Sequence, residues 1–374
     1  MRSGNPCLRA YSERPLSMRF VPSNCLRPGQ MLASDLVLNK SRVLIGKNVR
    51  LTEALINNVT AYGFQGVYID DEISEDLRIA NVISDELKTK AKREVRTMFS
   101  NVEVPTGKRG VRNIDTLKDV VTNIVEEVIY NRQAIVNVVD IRSYDDYTYS
   151  HSLNVAVLAS VLGGVLGLDR KSLNELVTGA LIHDVGKVFI DKNIINKVSR
   201  LTRDELEDVK RHSQLGYNYL LNNNKIADAS KIAVLTHHER FDGYGYPNGL
   251  KGDKIPLFGR IICVVDVYDA LVSDRPYRRA MLPSDAMEYI MSGYGTMFDP
   301  DIVDAFTKRI APYPVGTCVR LSSGILGIVV GNYEHSRLRP IIRVIHDGRL
   351  TSTYIDLAED HSTFNTTITE IVNL

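Results

Sequence analysis

The feature that most restricts this chain is a histidine followed by an aspartate at the end of an apolar run, Ala180-Leu181-Ile182-His183-Asp184-Val185-Gly186-Lys187. The run reads as the buried end of a helix, and an imidazole and a carboxylate left there without partners are costly to bury. Coordination of a metal ion removes that cost. Neighbouring residues on a helix point about 100° apart, so His183 and Asp184 can serve one ion and reach towards a second.

Further candidate ligands recur at helix ends in the same region: His151, His212 within Lys210-Arg211-His212, the pair His237-His238, and Asp266. Five imidazoles (151, 183, 212, 237, 238) and two carboxylates (184, 266) are enough for two divalent ions with a bridging group. A single histidine is more often a hydrogen-bonded core or surface residue. Only the set as a whole points to a metal centre.

The scaffold around these residues reads as mostly helical from about 145 to 310, with helices over 154–166, from Ser172 to His183-Asp184 with Gly186 as the stop, and over 204–221, 229–238, 260–273 and 284–292. A further helix, capped by Asp115, carries Leu117, Val120, Val121, Ile124, Val125, Val128 and Ile129 at helical spacing; it opens this all-α bundle, and such a long helix makes a homodimer an expectation. Before it, a small α+β domain is expected over 18–83, with strands at Val43–Ile45 and Val67–Ile69 and a helix over Thr52–Ala61, followed by a helical linker over 84–114. Period-two segments after Pro312 and Pro314, with a hairpin turn at Asp347-Gly348, predict a small β domain over 312–374. The catalytic helical domain is thus placed at 115–311, and residues 1–17, Arg-rich and without an apolar core, are expected to be a disordered tail.

Charge and cysteine content narrow the classes. With 46 basic and 45 acidic residues the net charge is +1, which gives no general attraction to a nucleic acid polymer or a membrane. No apolar run approaches the length of a membrane span. Cys7, Cys25, Cys263 and Cys318 are widely separated, which argues against a disulfide framework and a zinc-thiolate site and fits a reducing cytoplasm.

The run 180–187 resembles the signature of the HD superfamily of metal-dependent phosphohydrolases, and His237-His238-Glu239-Arg240-Phe241-Asp242-Gly243-Tyr244-Gly245-Tyr246-Pro247 looks like the extended signature of its HD-GYP branch, as does Asp274-Arg275-Pro276-Tyr277-Arg278-Arg279. The resemblance covers 151–310 strongly. It implies hydrolysis of cyclic di-GMP to linear pGpG, and often onward to GMP, by a hydroxide held between two metals, iron or manganese. His151, His183, Asp184 and Asp266 would hold one ion, with Asp184 bridging to a second held by His212, His237 and His238. Lys187 would lie beside the scissile phosphate. Some members carry a glutamate four residues before the first histidine and bind a third ion; Tyr147 stands there, with Asp145 and Asp146 the nearest carboxylates, so two ions are expected.

Recognition of the dinucleotide falls to the second block. Gly243, Gly245 and Pro247 permit a tight loop, Tyr244 and Tyr246 offer flat faces to a guanine, and Arg275, Arg278 and Arg279 supply forked donors for the second phosphate or a guanine edge. Two other readings stand beside the phosphodiesterase: a receptor that binds cyclic di-GMP without cutting it, which the full ligand set disfavours, and an HD hydrolase for another nucleotide such as 3′,3′-cyclic GMP-AMP.

Overall fold

A computed structural model describes residues 19–372 apart from 24–25, 39–41, 63, 65, 72–81, 103–113, 132–146, 196, 198, 274–280, 334–335 and 348. The expected tail 1–17, Asp145, Asp146, and Arg275, Arg278 and Arg279 therefore lie outside the described residues.

The chain begins with short strands, β1 (Arg19–Pro22), β2 (Met31–Leu32), β3 (Leu36–Leu38) and β4 (Arg42–Ile45), then α1 (Glu53–Ala61) and β5 (Gly66–Asp70). β1 and β2 flank β5 in an antiparallel sheet and β3 pairs with β4. Thr52 caps α1 by accepting from the Leu55 N–H at 3.3 Å, and Val59 turns inward onto Val21, Leu32, Val67 and Ile69.

A helical body follows: α2 (Asp85–Val102), α3 (Ile114–Tyr130), α4 (Tyr147–Val165), α5 (Arg170–Ile182), a 3-10 turn over Val185–Phe189, α6 (Lys192–Ile195), α7 (Arg203–Lys210), α8 (His212–Leu220), α9 (Asp228–Thr236), α10 (Leu257–Val272), α11 (Pro283–Ser292) and α12 (Pro300–Thr307). α4 is apolar almost all round and sits at the centre, with Leu153, Val155, Ala156, Val157, Leu158, Ala159 and Leu162 fully buried. The helix expected in the linker 84–114 packs into the same core through Leu87, Ala91, Val95, Met98 and Phe99.

The stripe on α3 is also used up inside the fold. Leu117, Val120, Val121, Ile124, Val125 and Val128 are buried in this core, so they are not available to pair two copies; Ile129 and Tyr130, 43% and 80% exposed, remain at its end. Ile124→Ala is expected to cost about 2–5 kcal/mol in denaturant unfolding, whereas Tyr130→Ala should stay within about 0.5 kcal/mol of wild type. Equal effects of the two would mean that α3 does not pack as described.

The structure departs from the sequence expectation at two places. The single helix expected over 204–221 is broken at Arg211, where the Arg211 N–H turns to the Asp208 carbonyl at 3.1 Å and tightens the end of α7 before α8 starts at His212. Gly186 is not a left-handed helix stop: α5 ends on His183, and Gly186 is absent from the positive-φ glycines. Its reason is contact, because a Cβ there would overlap the His212 carbonyl and lie 2.6 Å from the Gly216 N.

The chain closes with β6 (Cys318–Leu321), β7 (Leu326–Gly331), β8 (Ile341–His346), β9 (Arg349–Asp356) and β10 (Ile368–Ile371), an antiparallel sheet in the order β10-β6-β7-β8-β9. β8 and β9 are joined at His346↔Arg349, with Asp347 at φ 49°, as a tight hairpin requires. Both faces are covered, one by Cys318, Ile328 and Ile345, the other by Val319, Val329 and Ile342. Arg19 joins the two ends of the chain, pairing with Asp71 at 2.8 Å and donating to the Cys318 sulfur at 3.7 Å. No helix among the described residues is long and apolar enough to cross a membrane.

Candidate metal centre

The seven expected ligands, scattered over 116 residues of sequence from 151 to 266, meet in one place and fall into two groups. Asp184, His212, His237 and His238 can bring one ligand atom each within 4.8 Å of one another, and so can His151, His183 and Asp266. α4 supplies His151, the end of α5 supplies His183 and Asp184, α8 starts on His212, α9 ends at His237-His238, and α10 carries Asp266. All are buried except His238, which is partly exposed.

Asp184 stands between the groups. Its Oδ1 lies 3.5 Å from the His212 Nε2, while its Oδ2 lies 3.4 Å from the His183 Nε2 and 3.8 Å from the His151 Nε2. Each oxygen thus faces a different group. Lys187, one turn on and partly exposed, holds its Nζ 2.6 Å from Oδ2. Burial alone would push the Asp184 carboxyl up, but Lys187 and His183 beside it hold it well below the usual carboxylate range.

The histidines are set as ligands by their outer nitrogens. His183, His212 and His237 each point Nδ1 at the carbonyl three residues back, Ala180, Val209 and Val234, at 2.8, 2.7 and 2.7 Å. A carbonyl only accepts, so Nδ1 carries the proton and Nε2 is left with its lone pair. Two of these bare nitrogens, His212 Nε2 and His237 Nε2, face each other at 3.3 Å. The buried His183 Nε2 and Asp184 Oδ1 make no hydrogen bond at all. Buried acceptors converging without donors fit positively charged ions, and a nitrogen-and-carboxylate donor set suits divalent metal ions.

Electrostatics favour the neutral, ligating form in one group. Burial, reinforced by His212, takes the His238 imidazole down to about 3; burial takes His212 to about 4, with Lys187 adding to it; burial and His238 hold His237 well below its ordinary value. His151 differs: burial opposes its charge, but hydrogen bonds to Asp266 and Asp269 outweigh burial and raise it to about 9. Asp266, which burial alone would raise, is held well below the carboxylate range by its bond to His151 at 3.0 Å.

The block after His238 folds into a loop around Glu239, a residue the sequence did not single out. Its buried carboxylate accepts from the Asn248 N–H at 2.8 Å and the Leu250 N–H at 2.9 Å. Gly243 sits at φ 88°, and a Cβ on Gly245 would lie 2.5 Å from the Glu239 Cα, so the turn closes only without side chains there. The Tyr246-Pro247 peptide is cis. Tyr246 gives one ring face to His238, with centroids 4.7 Å apart, and Lys210 lies 5.7 Å from its centre; Tyr244 is 85% exposed. Glu239→Gln replaces one acceptor by a donor facing a backbone N–H, and is expected to cost about 1–3 kcal/mol and speed proteolysis within 240–252. Unchanged cleavage would show that the carboxylate does not hold the loop.

Asp269 is a second residue that the sequence does not single out. It lies one helical turn after Asp266 on α10, fully buried, and takes the His151 Nδ1 at 2.7 Å and the Asn154 side chain at 2.8 Å. Its spacing of three from Asp266 was the available signal. Tyr147 starts α4 one turn before His151, and its side chain lies outside the described residues.

Residues 124–302 match the HD domain family model. The chain is 35% identical over 279 residues to a cyclic di-GMP phosphodiesterase of Pseudomonas aeruginosa, PA4108, covering 74% of this chain and 65% of that one. It is 40% identical over 152 residues to the cyclic di-GMP phosphodiesterase response regulator RpfG of Xanthomonas campestris, covering 40% of each, and 34% identical over 186 residues to 3′3′-cGAMP-specific phosphodiesterase 2 of Vibrio cholerae, covering 49% of this chain and 34% of that one. The chain spans less than two thirds of the length of these relatives. A solved structure, Bd1817, a HDG"Y"P protein from Bdellovibrio bacteriovorus, shares the fold with a TM-score of 0.50 at 18% identity, covering 77% of this chain and 98% of that one.

Proposed function

We propose that this chain, whose residues 124–302 match the HD domain family model, is a metal-dependent phosphodiesterase that opens cyclic di-GMP to linear pGpG. The observation that carries the reading is the pair of ligand groups shared through the two oxygens of Asp184, lined by buried acceptors that make no hydrogen bond. Two divalent ions, iron or manganese, would supply Lewis acidity there: neutralisation of phosphoryl charge and a lower pKa for attacking water. His151, His183, Asp184 and Asp266 would hold one, and Asp184 with His212, His237 and His238 the other.

The chain's own groups do the rest. Lys187, at the rim and partly exposed, is placed to meet a phosphate oxygen with its ammonium group. Tyr246 packs on His238 and restrains that ring, which leaves Tyr244 as the aromatic face free for a guanine. Arg275, Arg278 and Arg279 follow directly on α10, whose last turn carries Asp269, and are proposed to hold the second phosphate or a guanine edge. A catalytic unit over 115–311 with flanking units over 18–83 and 312–374, a cytoplasmic setting supported by the buried free thiols of Cys263 and Cys318, and a homodimer through the exposed end of α3 belong to the same proposal.

The name of the Vibrio relative makes 3′,3′-cyclic GMP-AMP the second substrate to try. Iron- or manganese-loaded protein should linearise cyclic di-GMP faster than the mixed dinucleotide. Binding of cyclic di-GMP without any cleavage would make the chain a receptor; faster cleavage of the mixed dinucleotide would overturn the substrate.

A further inference from the structure

We propose that Asp269 is a positioning residue that makes the two metal positions unequal, so that the one built on His151, His183 and Asp266 holds its ion more tightly than the one built on His212, His237 and His238. The inference rests on the two-ion reading above and deepens it.

The asymmetry lies in what stands behind each imidazole. Three of the described ligand histidines donate Nδ1–H to a main-chain carbonyl of their own turn, those of Ala180, Val209 and Val234. His151 alone among these four gives its Nδ1 to a carboxylate, the Asp269 Oδ2 at 2.7 Å. A carboxylate draws the Nδ1 proton more strongly than a carbonyl does, which leaves more electron density at Nε2 and makes it a stronger donor. The partner is itself fixed. Asp269 is 1% exposed, its other oxygen accepts from Asn154 Nδ2 at 2.8 Å, and Ser273 Oγ lies 3.4 Å from Oδ2.

Geometry and charge point the same way. Asp266 and Asp269 stand three apart on α10, and between them they hold both edges of one ring: Asp266 Oδ1 is 3.0 Å from the His151 Nε2, and Asp269 takes the opposite nitrogen. His151 and Asn154 are likewise three apart on α4, so the crossing of α4 and α10 closes a small buried network around the imidazole. The first position therefore has Asp266 and Asp184 in direct reach and Asp269 one bond further out, whereas the second has Asp184 among its three imidazoles and meets Asp266 only at longer range, its Oδ2 lying 3.9 Å from the His238 Nδ1. A dication is bound more tightly where more negative charge is concentrated.

The test is a titration of metal-free, full-length protein with Mn2+, read by calorimetry and by the spin resonance of the free ion, beside the melting temperature of the metal-free form. Wild type should take up two ions in separate steps. Asp269→Asn keeps the shape and removes the charge; it should weaken the tighter step by about 10–100-fold, leave the weaker step unchanged, and draw the two steps together. Asn154→Ala, which only loosens the Asp269 carboxylate, should shift the same step in the same direction by less, and serves if Asp269→Asn fails to fold. Two unaltered steps in Asp269→Asn, or equal weakening of both, overturns the role of Asp269. A wild-type chain that takes up fewer than two ions is a distinct result, and overturns the two-ion reading together with this inference.

Discussion

Asp184→Ala is expected to reduce the bound ions from two per chain to fewer than one and to lower turnover of cyclic di-GMP by about 1,000-fold or more, the several kcal/mol that metal-assisted charge stabilisation contributes. Asp184 reaches both ligand groups: one oxygen looks at His212 and the other at His183 and His151. Its loss also leaves the Lys187 ammonium without its 2.6 Å partner, so the variant loses order at the rim as well as charge between the groups. Circular dichroism should show wild-type helix content, because Asp184 lies beyond the end of α5 and is not one of the apolar residues that form the core of α4 and α5. A folded variant that retains two ions and wild-type turnover contradicts the bridging role.

The second large effect is expected at a residue without a side chain. Gly186→Ala places a methyl group against the His212 carbonyl and 2.6 Å from the Gly216 N, and both obstacles are main chain. Side-chain rotation cannot relieve the contact, so the 3-10 turn and α8 must move apart. We expect destabilisation of about 3 kcal/mol and a fall in melting temperature of roughly 6–12 °C. Because α8 starts on His212, the same movement draws this imidazole away from Asp184. The ion held by His212, His237 and His238 should weaken while the other stays. Gly164→Ala, at a helical glycine with open space around it, is the matching control and should be close to neutral. Equal stability of the two variants would show that α8 does not approach Gly186 as described.

The candidate ligands stand out in the sequence as a set, with His183-Asp184 and His237-His238 at helix ends, although His151 and Asp266 lie inside α4 and α10 and not at their ends as expected. His183-Asp184 follows a continuous apolar stretch, and His237-His238 closes another helix. What surrounds them was less legible, because it depends on how helices cross. Asp269 matters through a hydrogen bond between α10 and α4, and Glu239 through two main-chain donors about ten residues further on. Gly186 reads as a helix stop in one dimension and is a helix-contact residue in three. The stripe on α3 has the spacing of a pairing surface and is buried within its own chain. Tyr246 carries the flat ring that a guanine would use, and one face of it already lies on His238.

The most direct test of the account is a titration of metal-free protein with Mn2+ or, anaerobically, Fe2+, with bound ions per chain and cyclic di-GMP turnover measured on the same samples. Two ions per chain are predicted, with linear pGpG appearing as the second is taken up. Saturation at one ion with full turnover, or turnover that persists without metal, would contradict it.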